Sequence, residues 1–64
     1  MKIVLNVEVR DVRSETLSEL LEECAFSGRV ATAVNETFVP AGLRATYPLG
    51  DGDRVEVLAP MQGG

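Results

Sequence analysis

Only one sustained stretch of this chain has the spacing of an amphipathic helix. Leu17, Leu20, Leu21 and Cys24 recur at i, i+3, i+4 and i+7, which places them on one helical face. Thr16 stands just before that stripe, and Glu19 follows three residues after Thr16. This is the spacing of a capping box, in which each side chain satisfies a free backbone N–H at the helix start. Glu19, Glu22 and Glu23 lie away from the stripe, and Gly28 is the expected stop beyond the helix end. A helix with one apolar stripe must bury it against another layer, and the rest of the chain supplies a sheet.

The flanking segments alternate with a period of two, the signature of half-buried strands. In Met1 to Val12, Ile3, Leu5 and Val7 point one way and Lys2, Val4, Asn6 and Glu8 the other. Val9 to Arg13 reads as a second strand, with a hairpin turn near Asn6 to Glu8 that lacks the favoured Asn-Gly. Val30 to Val34 is a strand with Val30, Thr32 and Val34 on one face. Asn35-Glu36 is a turn into a short strand, Thr37 to Val39, which Pro40 ends because it has no N–H to give. Ala41 to Leu49 is irregular, with room for one helical turn, and Gly50-Asp51-Gly52-Asp53 is a turn signal. The last strand is Arg54 to Ala59, with Val55 and Val57 on one face and Arg54, Glu56 and Leu58 on the other. The expected fold is α+β: a mixed sheet of four or five strands with one main helix on one face. Residues 1–60 form the domain and 61–64 a flexible tail. Parallel, central placement of the first and last strands is natural for such an arrangement.

Length narrows the function. Sixty-four residues make one domain, which buries only about 60% of the surface its unfolded chain exposes. That leaves too little material for a deep active site and its supporting shell, so a carrier, inhibitor or interaction module fits better than an autonomous enzyme. Apolar residues make up 45% of the chain, too many for a disordered segment. The net charge of −4 comes without any basic cluster, which argues against nucleic-acid binding. The acidic balance either steers the domain toward a basic cleft on a protein partner or simply keeps it soluble.

The lone Cys24 excludes an internal disulfide and suggests a reducing compartment. Its place on the leucine stripe makes it a small core residue rather than a sulfur-handling thiol. There is no histidine and no Cys/His cluster, so no metal site is expected. The two acids of Gly50 to Asp53 are too few for a calcium loop. No basic leader precedes an apolar run, and no apolar stretch approaches the ~20 residues of a membrane helix. The chain is expected to be cytoplasmic, without membrane contact.

Gly63 and Gly64, the last two residues, offer one unusual handle: a carboxylate on a slim, conformationally free tail. Such a tail can pass through a narrow channel into another protein's active site. A diglycine is also compatible with an ordinary frayed terminus, so its meaning depends on the body that carries it.

That body resembles the ubiquitin-like β-grasp proteins and, within them, the ThiS sulfur carriers of thiamine thiazole synthesis. The matching residues are Thr16-Leu17 with Leu20-Leu21, Ala33-Val34-Asn35 followed by Phe38-Val39-Pro40, Asp51-Gly52-Asp53-Arg54-Val55-Glu56, and Gln62-Gly63-Gly64. The likeness covers nearly the whole chain. Two departures fall in the turns, where Val7 and Glu36 stand in places at which the family often has glycine after asparagine. Ala41 to Pro48 matches poorly.

The resemblance implies a mechanism in which the chain is a co-substrate and not an enzyme. An ATP-dependent adenylyltransferase would activate the Gly64 carboxylate as an acyl-adenylate. A sulfur donor, such as a cysteine desulfurase or persulfide protein, would convert it to a thiocarboxylate for delivery to a thiazole synthase. The chain would bind no cofactor, and ATP would be consumed by the activating enzyme. Gly64 would react, Gly63 would keep the approach slim, and Met61 and Gln62 would give the tail its reach. Phe38 and Leu58, on strand faces opposite Val39 and Val57, are candidate partner contacts or else part of the domain's own packing. Three rivals stay open. The small subunit of molybdopterin synthase shares the tail chemistry but serves a pterin precursor. A ubiquitin-like modifier would form isopeptide bonds, and a non-covalent β-grasp binding module would have an inert tail.

Overall fold

The computed structural model describes residues 1–59; Pro60 to Gly64 lie outside the described residues. Five strands, one α-helix and one 3-10 helix follow in the order β1 (Lys2–Leu5), β2 (Glu8–Asp11), α1 (Leu17–Glu23), β3 (Ala31–Val34), β4 (Thr37–Val39), the 3-10 helix (Ala41–Thr46) and β5 (Arg54–Leu58). They build one mixed sheet in the order β2-β1-β5-β3-β4. β1 and β5 are parallel neighbours at its centre, and the other pairings are antiparallel. The mixed sheet is the one expected from the alternation of the sequence, and its strand order is the β-grasp arrangement that the resemblance implies.

The core lies between one sheet face and α1. Ile3, Leu5, Val34, Val39, Val55 and Val57 come from the strands, and Leu17, Leu20 and Leu21 from the helix stripe. Cys24 is half-buried against this cluster. Val7 does not continue the inward row of Ile3 and Leu5. It sits in the hairpin turn and is 91% exposed, while Val12, just past β2, takes a place in the core. The second strand is correspondingly Glu8–Asp11, starting and ending earlier than the alternation predicted.

Both ends of α1 are set by short-range chemistry. At its start, Glu19 N–H donates to Thr16 Oγ1 at 3.2 Å and Thr16 N–H donates to Glu19 Oε1 at 3.3 Å, completing the capping box. The stop is not Gly28. Cys24 is the C-cap and Ala25, at φ 62°, is the left-handed residue after it. Ala25 N–H reaches the Glu22 carbonyl at 3.1 Å, and Phe26 N–H reaches the Leu21 carbonyl at 2.9 Å. This pair of bonds is the Schellman motif, with alanine where glycine is the usual residue. Phe26 packs on the core, as the position after a Schellman turn commonly does.

A single carboxylate ties the end of α1 to the segment entering it. Glu23 accepts from the backbone N–H groups of Arg13 (3.1 Å) and Ser14 (3.0 Å) and from the Ser14 hydroxyl. The Ser14 hydroxyl, the two backbone donors and the nearby Arg13 charge hold its pKa below the ordinary 4.5, against a smaller opposing effect of desolvation.

Candidate functional site

Among the described residues, none covers the sheet face opposite α1. Antiparallel partners share a face, so the register assigns its residues. Ala31 stands opposite Leu58, Ala33 opposite Glu56, and Ala33 also opposite Phe38 on the β4 side. Farther across, Val4 pairs with Val9 and with Arg54. Phe38 is 65% exposed and Leu58 69% exposed. Ala31, Thr32, Ala33, Phe38, Glu56 and Leu58 line one shallow depression there, of about 130 Å³. Small alanines between two large side chains make it concave and mostly apolar. The structure thus brings two of the sequence-predicted contact residues, Phe38 and Leu58, onto one face. Met61, Gln62, Gly63 and Gly64 lie outside the described residues.

The stem from which those residues depart is β5, a central strand. On one side β3 holds it from Val34↔Val55 to Ala31↔Leu58. On the other side β1 covers only its beginning, Val4↔Arg54 and Leu5↔Val55. One residue extends that cover. Asn6 N–H donates to the Val55 carbonyl at 2.7 Å, and Asn6 Oδ1 accepts from Val57 N–H at 2.9 Å.

The opposite end of β5 is fixed by a polar knot that joins two turns and the start of β1. Asn35 Nδ2 donates to Asp53 Oδ1 at 3.0 Å, and Arg54 N–H donates to Asn35 Oδ1 at 2.9 Å. Asp53 Oδ2 accepts from Gly50 N–H at 2.8 Å, and Asp51 Oδ1 accepts from Lys2 N–H at 2.7 Å. The acids of the Gly50–Asp53 segment are thereby occupied as turn acceptors. Asn35 and Glu36 have φ 49° and 71°, the double left-handed pattern of a type I′ hairpin turn, reached without glycine. In the first hairpin, only Asn6 (φ 57°) of the turn pair Asn6-Val7 is left-handed.

A model of the ThiS family matches residues 3–64, the whole domain together with Gln62-Gly63-Gly64. The chain belongs to the ThiS family. Among curated relatives, the sulfur carrier protein ThiS of Thermus thermophilus is 44% identical over 61 residues, covering 94% of this chain and 95% of that protein. The crystal structure of the thiamine biosynthesis protein ThiS from Geobacter metallireducens superposes with a TM-score of 0.85 at 25% identity, covering all of both chains. The two turn departures of this ThiS family member differ in kind: Glu36 adopts the left-handed backbone itself, whereas Val7 stands at a position that is not left-handed here. Strand alternation predicts the exposure of Phe38 and Leu58. It misses Asn6 and the Asn35–Asp53 contact, because their partners are 51 and 18 residues away in the chain. Among the described residues no helix is long and apolar enough to cross a membrane.

Proposed function

We propose that this chain is a sulfur carrier protein of thiamine thiazole biosynthesis, with Gly64 as the reacting residue and Gly63 keeping the tail slim. The observation that carries this reading is the family match, which spans residues 3–64 and so takes in the diglycine. The Thermus relative, a sulfur carrier protein, and the Geobacter one, a thiamine biosynthesis protein, support the same pathway.

A carboxylate is a poor electrophile, because its charge repels nucleophiles and oxide is a poor leaving group. An adenylyltransferase removes both obstacles. A Gly64 carboxylate oxygen attacks the α-phosphorus of ATP, pyrophosphate leaves, and a mixed anhydride with AMP results. Sulfide then attacks the acyl carbon and AMP departs, leaving a thiocarboxylate. With a persulfide donor, attack gives an acyl disulfide, and a thiol reductant then cleaves the S–S bond. The thiocarboxylate sulfur is a nucleophile suited to a thiazole synthase. In this scheme the domain supplies no acid, base or metal. It presents the tail, and Phe38 and Leu58 supply the apolar contact by which each partner grips it, with Met61 and Gln62 spanning the remaining distance.

Intact mass after incubation with ATP, the cognate activating enzyme and a sulfide source tests the reading. The expected result is replacement of one oxygen by sulfur, lost when Gly64 is deleted. An unchanged mass with an activating enzyme proven competent on another carrier would overturn it.

A further inference from the structure

The ladder between β1 and β5 continues one step beyond the last residue of β1. In a parallel pair, a residue on one strand gives its N–H to the neighbour strand and receives, at its own carbonyl, the N–H two residues farther along that neighbour. Asn6 fulfils the first half with its backbone, donating to the Val55 carbonyl at 2.7 Å. The second half requires an acceptor for Val57 N–H. The main chain of Asn6 turns away into the hairpin at φ 57°, and its side-chain Oδ1 takes the place of the backbone carbonyl, 2.9 Å from Val57 N. Among the described residues this is the last hydrogen bond on the β1 side of β5, two residues before Ala59.

We infer that Asn6 is a positioning residue for the carrier reaction, fixing through Val57 the direction in which β5 hands the tail to a partner enzyme. This inference rests on the sulfur-carrier reading. Without the Asn6 acceptor, the hydrogen bonds that tie this part of β5 to the sheet run through β3 alone; the Val57 side chain stays in the core, and Leu58, exposed beyond it, is held less firmly. Gly64 would then be delivered to the activating enzyme from a broader set of directions. Ordering the stem would be charged against binding, and the loss would show in KM more than in kcat. The side chain needed is specific: a carbonyl-type acceptor on a short arm, carried by a residue that tolerates left-handed backbone. Asparagine and aspartate meet both conditions, and glycine meets only the second.

That difference supplies the test. Asn6→Gly keeps the turn and removes the acceptor, and Asn6→Asp keeps both. Adenylation kinetics with the activating enzyme are measured for the unsubstituted protein and both variants, at a temperature where circular dichroism shows all three folded. Amide exchange at Val57 is followed in parallel by NMR. Asn6→Gly is expected to lower kcat/KM roughly three- to tenfold, mainly through KM, and to expose the Val57 amide to exchange. Asn6→Asp is expected to restore both toward the unsubstituted values. Unchanged kcat/KM in Asn6→Gly, unchanged Val57 exchange, or failure of Asn6→Asp to rescue would each overturn the inference while leaving the carrier reading intact. Absence of adenylation in the unsubstituted protein would overturn the carrier reading itself, and this inference with it.

Discussion

Arg44 Nε donates to Thr32 Oγ1 at 2.9 Å, joining the 3-10 helix to the buried side of β3. The same hydroxyl donates to the Val39 carbonyl at 2.8 Å, and the Arg44 guanidinium also reaches the Val30 carbonyl. Thr32 is fully buried in an otherwise apolar cluster, so its two hydrogen bonds make a polar side chain acceptable there. Thr32→Val preserves shape and removes both bonds, leaving a buried carbonyl and an arginine N–H short of a partner. The expected loss is about 1–3 kcal/mol in urea denaturation. Retention of full stability would show that the Arg44 bridge contributes nothing net.

Just past α1, Ala25 holds a backbone conformation that an L-residue with a Cβ adopts at a cost. Replacing it with glycine leaves the Schellman bonds of Ala25 and Phe26 in place and relieves that cost. Ala25→Gly is expected to raise stability by about 1 kcal/mol, reduced somewhat by the greater freedom of glycine in the unfolded chain. A thermal midpoint that falls instead would mean that the unfolded-chain effect dominates.

Glu23 gives the fold a defined acid sensitivity. Its pKa is lower in the folded protein than the ordinary 4.5, chiefly because of the Ser14 hydroxyl bond. The stabilisation is therefore fully present above pH 4.5 and is lost as pH falls through the lower, folded value. Glu23→Gln should be less stable than the unsubstituted protein at pH 7, and the two midpoints should converge in acid. A constant difference across the whole pH range would exclude a charge-dependent contribution.

Phe38 and Leu58 separate folding from recognition. Both are exposed, so Phe38→Ala and Leu58→Ala should each alter stability by no more than about 0.5 kcal/mol. If the open face is the grip for the activating enzyme, each should weaken binding by about 1–2 kcal/mol, measured by titration calorimetry. Unchanged affinity in both variants would remove this face from the interface.

The stripe Leu17, Leu20, Leu21 and the Thr16–Glu19 box were legible in the chain because a helix start is decided within four residues. The buried rows Ile3/Leu5 and Val55/Val57 were legible because side chains alternate strictly along a strand, and the exposure of Phe38 and Leu58 follows from the same rule. The end of α1 was not. Gly28 has the intrinsic preference, yet Ala25 takes the left-handed turn, and with it Phe26 is brought onto the core. Val7 failed the alternation because the hairpin turns there, a choice fixed by how β1 and β2 pair.

By itself, then, the sequence determined the elements and most of their inward faces, which depend on local spacing, and its motifs from Thr16 to Gly64 carried the likeness to the family. Tertiary structure alone decided which distant groups complete one another: Asn6 with Val57, Asn35 with Asp53, Thr32 with Arg44. These pairings answer backbone and side-chain hydrogen-bonding groups left over after the strands have been laid side by side. No local pattern encodes them, because the need for each partner arises only when the sheet has closed around it.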